Sequence, residues 1–137
     1  MKRSNGTATT AGWAQGMTTE NDATNDVLKI SSHRDGTIAV IALAGELDLH
    51  GAGLLDAEVR RLFADSVHAL EIDAGDLEFV DSSGLRSIVL ARAEAEAVGA
   101  SFRIAAVSPT VSRVIEIAGL TDFLLPAEPG PTGPSGA

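Results

Sequence analysis

The apolar run Ile38–Leu43 (IAVIAL) constrains the fold more than any other stretch of the chain. It is apolar at successive positions, so it reads as a central strand covered on both faces. One neighbour comes from just upstream. Val27, Leu28 and Ile30 precede the turn-like His33-Arg34-Asp35-Gly36, and the two runs read as a hairpin. Further along, strand and helix patterns alternate. Leu55, Val59, Leu62 and Phe63 recur at helical spacing with Arg60 and Arg61 outside, and Leu70 and Ile72 then alternate with Glu71 and Asp73 as a strand. After Asp81-Ser82-Ser83-Gly84 a second helix is expected, with Leu85, Ile88, Val89 and Ala93 on one stripe and Gly99 as its stop. Phe102, Ile104 and Ala106 mark the next strand. Ser108-Pro109 opens a third helix, with an N-cap serine before proline at the first helical position. Val111, Val114, Ile115 and Ala118 face inward in it, and Gly119 ends it. Phe123-Leu124-Leu125 is expected to add an edge strand. The order β-β-α-β-α-β-α(-β) describes an α/β single domain, a mixed four- to five-stranded sheet with helices packed on it.

The 137 residues suffice for one such domain with tails. Residues 1–26, rich in Thr, Asn, Gly and Ala, show neither helical nor strand periodicity and read as a disordered N-terminal tail. Residues 27–126 are the domain, and 127–137 are a disordered Pro/Gly tail. Only 4% of residues are aromatic against 45% hydrophobic, so the core must be aliphatic. The chain has no cysteine, which excludes disulfides, thiol nucleophiles and cysteine metal sites and suits a reducing cytosol. Ten Lys and Arg against nineteen Asp and Glu give a net charge of −9, which disfavours nucleic acid and anionic lipid as partners. No segment approaches the roughly 18 apolar residues of a membrane helix, and no apolar core of an export signal follows Lys2 and Arg3. A cytoplasmic protein is expected.

Asp81-Ser82-Ser83-Gly84 is the most informative local feature. At a strand-to-helix junction, Asp and Ser satisfy backbone N–H groups that lack helical partners, and from four residues alone capping is the simpler account. The same geometry also accommodates a phosphate. A helix N-terminus favours a nearby anion by about 0.3–1 kcal/mol. Against this, two unit charges about 4 Å apart repel by about 4 kcal/mol at an effective dielectric of 20, so a phosphoryl group on Ser82 would contend with Asp81. Phosphorylation there would alter the surface that a partner meets more than the fold.

Three segments, LAGELDLH (Leu43–His50), DLEFVDSSGL (Asp76–Leu85) and SPTVSRVIEIAGL (Ser108–Leu120), stand in the order and spacing of STAS domains. The chain resembles, more narrowly, the bacterial anti-sigma factor antagonists over roughly residues 27–125. The resemblance implies that Ser82 is the residue phosphorylated by an anti-sigma factor with serine kinase activity. The unphosphorylated antagonist would bind that factor and free a sigma factor for transcription. Phosphorylation would end binding, and a serine phosphatase would restore it. It further implies partner contacts by Glu46, Leu47 and Asp48 beside Asp81, Ser82, Ser83 and Gly84. Asp48 is equally well explained as the cap of the first helix, Ser83 as a second cap, and Gly84 as room for a closely approaching backbone. Gly51 departs from the family, where threonine is common, and Gly53 follows within the same turn. Each Gly weakens a helix by about 0.5–1 kcal/mol relative to Ala.

Other chemistries fit less well. A serine hydrolase needs a base, and His33, His50 and His68 lie in no motif linking them to Ser82 or Ser83; G-x-S-x-G, H-E-x-x-H, Walker and G-x-G-x-x-G patterns are all missing. Asp73, Asp76, Glu78 and Asp81 lack calcium-loop spacing. The expectation is a regulator without catalytic residues, metal or cofactor. Its main alternative is a STAS interaction subunit of a transporter ATPase complex or a scaffold in stress signalling.

Overall fold

Ile38–Leu43 lies in the middle strand of a five-stranded mixed sheet. The computed structural model describes residues 20–24 and 27–126. The chain runs β1 (Glu20–Thr24), β2 (Leu28–Asp35), β3 (Ile38–Leu47), α1 (Leu49–Phe63), β4 (Ala69–Val80), α2 (Ser82–Ala97), β5 (Ser101–Val107), α3 (Pro109–Ile117) and the single turn α4 (Thr121–Leu124). Sheet order follows sequence order, β1-β2-β3-β4-β5. β2 and β3 form the expected antiparallel hairpin, with Leu28 opposite Gly45 and Asp35 opposite Ile38. β3, β4 and β5 are parallel neighbours.

Because β3, β4 and β5 succeed one another in one direction, two right-handed crossovers place α1 and α2 on the same face. That face is the core. Ala39, Ile41 and Leu43 of β3, Leu28 and Ile30 of β2, and Leu70, Ile72 and Ala74 of β4 are buried, and they pack with Leu55, Val59 and Leu62 of α1, Leu85, Ile88 and Ala91 of α2, and Val111 and Ile115 of α3. The intervening residues, among them Lys29, Val40, Ala42, Glu71, Asp73 and Arg103, are partly or fully exposed. The expectation that β3 is covered on both faces is therefore corrected: its run of small and aliphatic residues meets helices on one side only.

Three further expectations change. Phe123-Leu124-Leu125 forms no edge strand. The chain turns at Gly119 (φ +76°), and α4 buries Leu124 in the core while Arg92 stacks 4.2 Å from the Phe123 ring centroid and donates to its carbonyl at 2.6 Å. Ala93 and Ala118, expected inward, are exposed; the inner stripe of α2 runs through Gly84, Leu85, Ser87, Ile88, Ala91 and Ala95. At the N-terminal side, β1 pairs antiparallel with β2 from Glu20 opposite His33 to Thr24 opposite Lys29, inside the segment expected to be tail. Its sequence, ENDAT, has no apolar alternation to reveal a strand. The rest of the expected N-terminal tail, apart from these five residues, and the 127–137 tail lie outside the described residues.

Two polar links tie α1 to its surroundings. Ser32 of β2 donates to the buried Glu58, which also accepts from Arg61 Nε at 3.1 Å and Nη2 at 2.6 Å. Ser87 of α2 donates to Asp56 Oδ1 at 2.7 Å.

Candidate functional site

β3 and β4 end side by side, Leu47 opposite Val80, and each is followed by one aspartate and a helix. Asp48 Oδ1 accepts from Gly51 N at 3.0 Å, and Asp81 Oδ1 accepts from Gly84 N at 2.8 Å. Both junctions thus read Asp-x-x-Gly, and each carboxylate satisfies an amide that has no partner within its helix. The amide of Asp81 donates to the Leu47 carbonyl at 3.2 Å, joining the two junctions directly. The positive ends of α1 and α2 therefore open beside one another on one rim of the sheet.

Glycine makes this spacing possible. A Cβ on Gly84 would lie 2.3 Å from the Leu47 carbonyl oxygen and under 3 Å from the side chains of Leu47 and Val80. Only without a side chain does α2 start this close to β3. Upstream, Gly45 takes φ +102° where a Cβ would strike the Val27 carbonyl, and Glu46 N donates to that same oxygen at 2.8 Å. The Gly51 departure leaves the Asp48 cap intact, since Gly51 itself supplies the capped amide and packs against Leu28 and Leu47.

The structure brings the sequence-predicted residues together but divides their roles. Ser82, the first residue of α2, is exposed, and its hydroxyl takes no part in the cap made by Asp81. Ser83 is half-buried and lines a groove of about 290 Å³ between α1 and α2. Glu46 is exposed, while Asp48 and Asp81 are half-buried and committed to their caps. Leu47 and Gly84 lie beneath the others, and Gly84 is the room for a closely approaching backbone that its alternative reading expected. Leu47 is 0% exposed and Gly84 is buried against it, so both shape the rim from beneath and present no side chain to a partner.

Sequence reasoning missed the rest of the groove. Leu49, 70% exposed, and Leu90, 40% exposed, border it, Arg86 lines it, and Ala52, Asp56 and Ser87 complete it. Leu49 had a signal: an apolar residue directly after a cap aspartate, in a turn whose buried positions are Gly51 and Ala52. His50, in the first turn of α1, stands at this end and is exposed; His68 precedes the opposite end of β4, and His33 lies toward the far end of β2. Asp81 is used as a cap and Asp73 accepts from Gly75 N at 3.0 Å. Among the described residues, no group of three or more His, Asp or Glu is arranged to hold a metal ion. No helix among them is long and apolar enough to cross a membrane.

Comparison with known proteins gives the same architecture a family. A family model described as "Mlab, STAS domain" matches residues 30–126. The anti-sigma-F factor antagonist RsfB of Mycobacterium tuberculosis is 34% identical over 83 residues, 61% of this chain and 67% of that protein. The crystal structure of an anti-sigma factor antagonist from Mycobacterium paratuberculosis superposes with a TM-score of 0.65 at 25% identity, over 75% of this chain and 87% of that one. The Bacillus cell fate determinant SpoIIAA in its phosphorylated form gives 0.56 at 25% identity, over 80% of this chain and 92% of that one. The chain belongs to the STAS domain family, among the bacterial anti-sigma factor antagonists.

Proposed function

We propose that the unphosphorylated chain binds an anti-sigma factor through the rim around Ser82, Ser83 and Asp48, with Glu46 beside them, and so releases a sigma factor to activate transcription. The anti-sigma factor's serine kinase activity transfers a phosphoryl group to Ser82, which ends binding, and a serine phosphatase reverses the modification. The observation that carries this reading is the Ser82 hydroxyl: exposed, outside the cap, and at the start of a helix that stands next to a second helix start. A relative of similar fold whose structure is that of a phosphorylated form supports it.

The chemistry follows from the two caps. Asp48 caps α1 and Asp81 caps α2 with their own carboxylates, so a phosphate on Ser82 has no structural hydrogen bond to displace. Added to a chain already at −9, about two more negative charges beside two carboxylates repel an acidic or apolar partner surface while the helix ends tolerate them. Leu49 provides apolar area to bury when the phosphate is off.

Affinity capture from the native host, with wild-type and Ser82→Asp baits, tests the proposal. An ATPase-fold serine kinase held by the first bait and lost from the second is the expected result, together with peptide mass spectra showing phosphate on Ser82 after incubation with that kinase and ATP. Ser82→Ala should still bind. Capture of a transporter nucleotide-binding subunit by both baits would instead establish the transporter-complex reading.

A further inference from the structure

Arg86 is the cation nearest in sequence to Ser82 on α2, and the fold leaves it idle. Arg34 pairs with Asp65, Arg61 with Glu58 and Arg92 with Glu96, whereas Arg86 is exposed and makes no hydrogen bond or ion pair among the described residues. It follows Ser82 by four residues on the same helix, the spacing at which side chains share a face with Cβ atoms about 5–6 Å apart. Long helical side chains lean toward the N-terminus of their helix, so the turn that begins with Ser82 is within reach of the Arg86 guanidinium. The nearby acids are already engaged: Asp81 and Asp48 on backbone amides, and Asp56 by the Ser87 hydroxyl.

Building on the assignment of Ser82 as phosphoacceptor, we propose that Arg86 receives the phosphoryl group within the same chain and fixes it over the α1–α2 groove. A planar guanidinium takes two phosphate oxygens at once, which a lysine ammonium at the same place does not. The groove is lined by Arg86 together with Leu49, Ser83 and Leu90, so the captured phosphate stands where a partner would bury Leu49. The modification then acts twice: it sets a dianion at the groove, and it withdraws the one cation of that groove from any acidic partner group. A freely rotating phosphoserine would do only the first.

The test installs phosphoserine at position 82 during translation, so that it needs no kinase and stands apart from whether a cognate kinase modifies this residue. The ³¹P resonance is titrated through the second phosphate ionisation, which is normally near pH 6. A guanidinium partner favours the dianion, so the wild-type midpoint should lie about 0.3 pH unit or more below that of Arg86→Gln, with Arg86→Lys between them. Glu46, Asp48, His50, Asp56 and Asp81 stand at the same rim and are unchanged in all three chains, so their contribution cancels in the comparison. Both residues are exposed, so the difference should shrink in 1 M salt. Unphosphorylated Arg86→Gln should unfold at the wild-type urea concentration, since the residue has no structural partner to lose. Equal midpoints in wild type and Arg86→Gln would overturn the proposal; failure of a kinase to modify Ser82 would leave the latch standing and overturn only the assignment of the acceptor.

Discussion

At the scale of single residues, packing at two glycines of similar sequence context gives opposite predictions. Gly84 has the Leu47 carbonyl 2.3 Å from where a Cβ would sit, and backbone cannot rotate away as a side chain does. Gly84→Ala should therefore destabilise by about 3 kcal/mol or more and shift α2 away from β3, in line with the cost of overpacking. Gly53 is exposed in α1 with nothing within 4 Å of its missing Cβ, so Gly53→Ala should gain about 0.5–1 kcal/mol. Urea unfolding of both variants checks the pair. Ser32 is a different case: it is 3% exposed and donates to a carboxylate that is itself buried. Ser32→Ala removes one donor from Glu58 and should cost about 1–3 kcal/mol, read the same way. Arg61, on the other side of Glu58, has its pKa raised, chiefly by the hydrogen bond to that carboxylate. A raised value means the contribution is fully present below the pKa of an unfolded arginine and is lost only as pH climbs beyond it. The Arg61→Ala penalty should therefore be equal at pH 7 and pH 9.

At the scale of elements, the caps explain both what was legible in the sequence and what was not. Asp81-Ser82-Ser83-Gly84 announces a helix start by composition, and Ser108-Pro109 does so more strongly; in the structure Asp81 and Ser108 are indeed N-caps. Asp48-Leu49-His50-Gly51 makes the same cap, but its middle residues carry no capping signal; that the two junctions are neighbours was implied by the family resemblance, and the parallel pairing of β3 with β4 is its physical cause. The groove between α1 and α2 was hidden for a related reason: Leu49 is far in sequence from Arg86 and Leu90, which share α2, and the sheet alone brings it beside them. Asp81→Ala should cost about 0.5–2 kcal/mol and loosen the first turn of α2, seen as faster amide hydrogen exchange at Ser83 and Gly84 with the rest of the helix unchanged. Elements defined by backbone pairing or by one buried residue were the hardest to read: β1 escaped notice, and α4 reads as a strand. β1 has a polar sequence, and α4 has an apolar triplet that strand and helix share equally well over so short a length.

At the scale of the whole molecule, the question is how much of the chain the domain needs. The residues of the core cluster run from Leu28 to Leu124, within the 27–126 range expected from periodicity and from the Pro/Gly composition of the C-terminal tail. β1 lies outside it and adds five backbone-paired residues to the edge of β2. A chain of residues 27–126 should accordingly keep a single cooperative unfolding transition, with lower stability than the full chain because the β2 edge loses its pairing. The bared strand carries exposed Lys29 and His33 and half-buried Arg34, and charge on an edge opposes strand-to-strand association between copies. The truncated chain should therefore also sediment as the full chain does at the same concentration. Urea unfolding and sedimentation velocity of the two chains decide the matter. Loss of the cooperative transition would mean that the fifth strand is integral to the fold, and the boundary between tail and domain would move to Glu20 or beyond. A stable but self-associating truncation would instead assign β1 the task of guarding an edge that the sequence of β2 does not guard by itself.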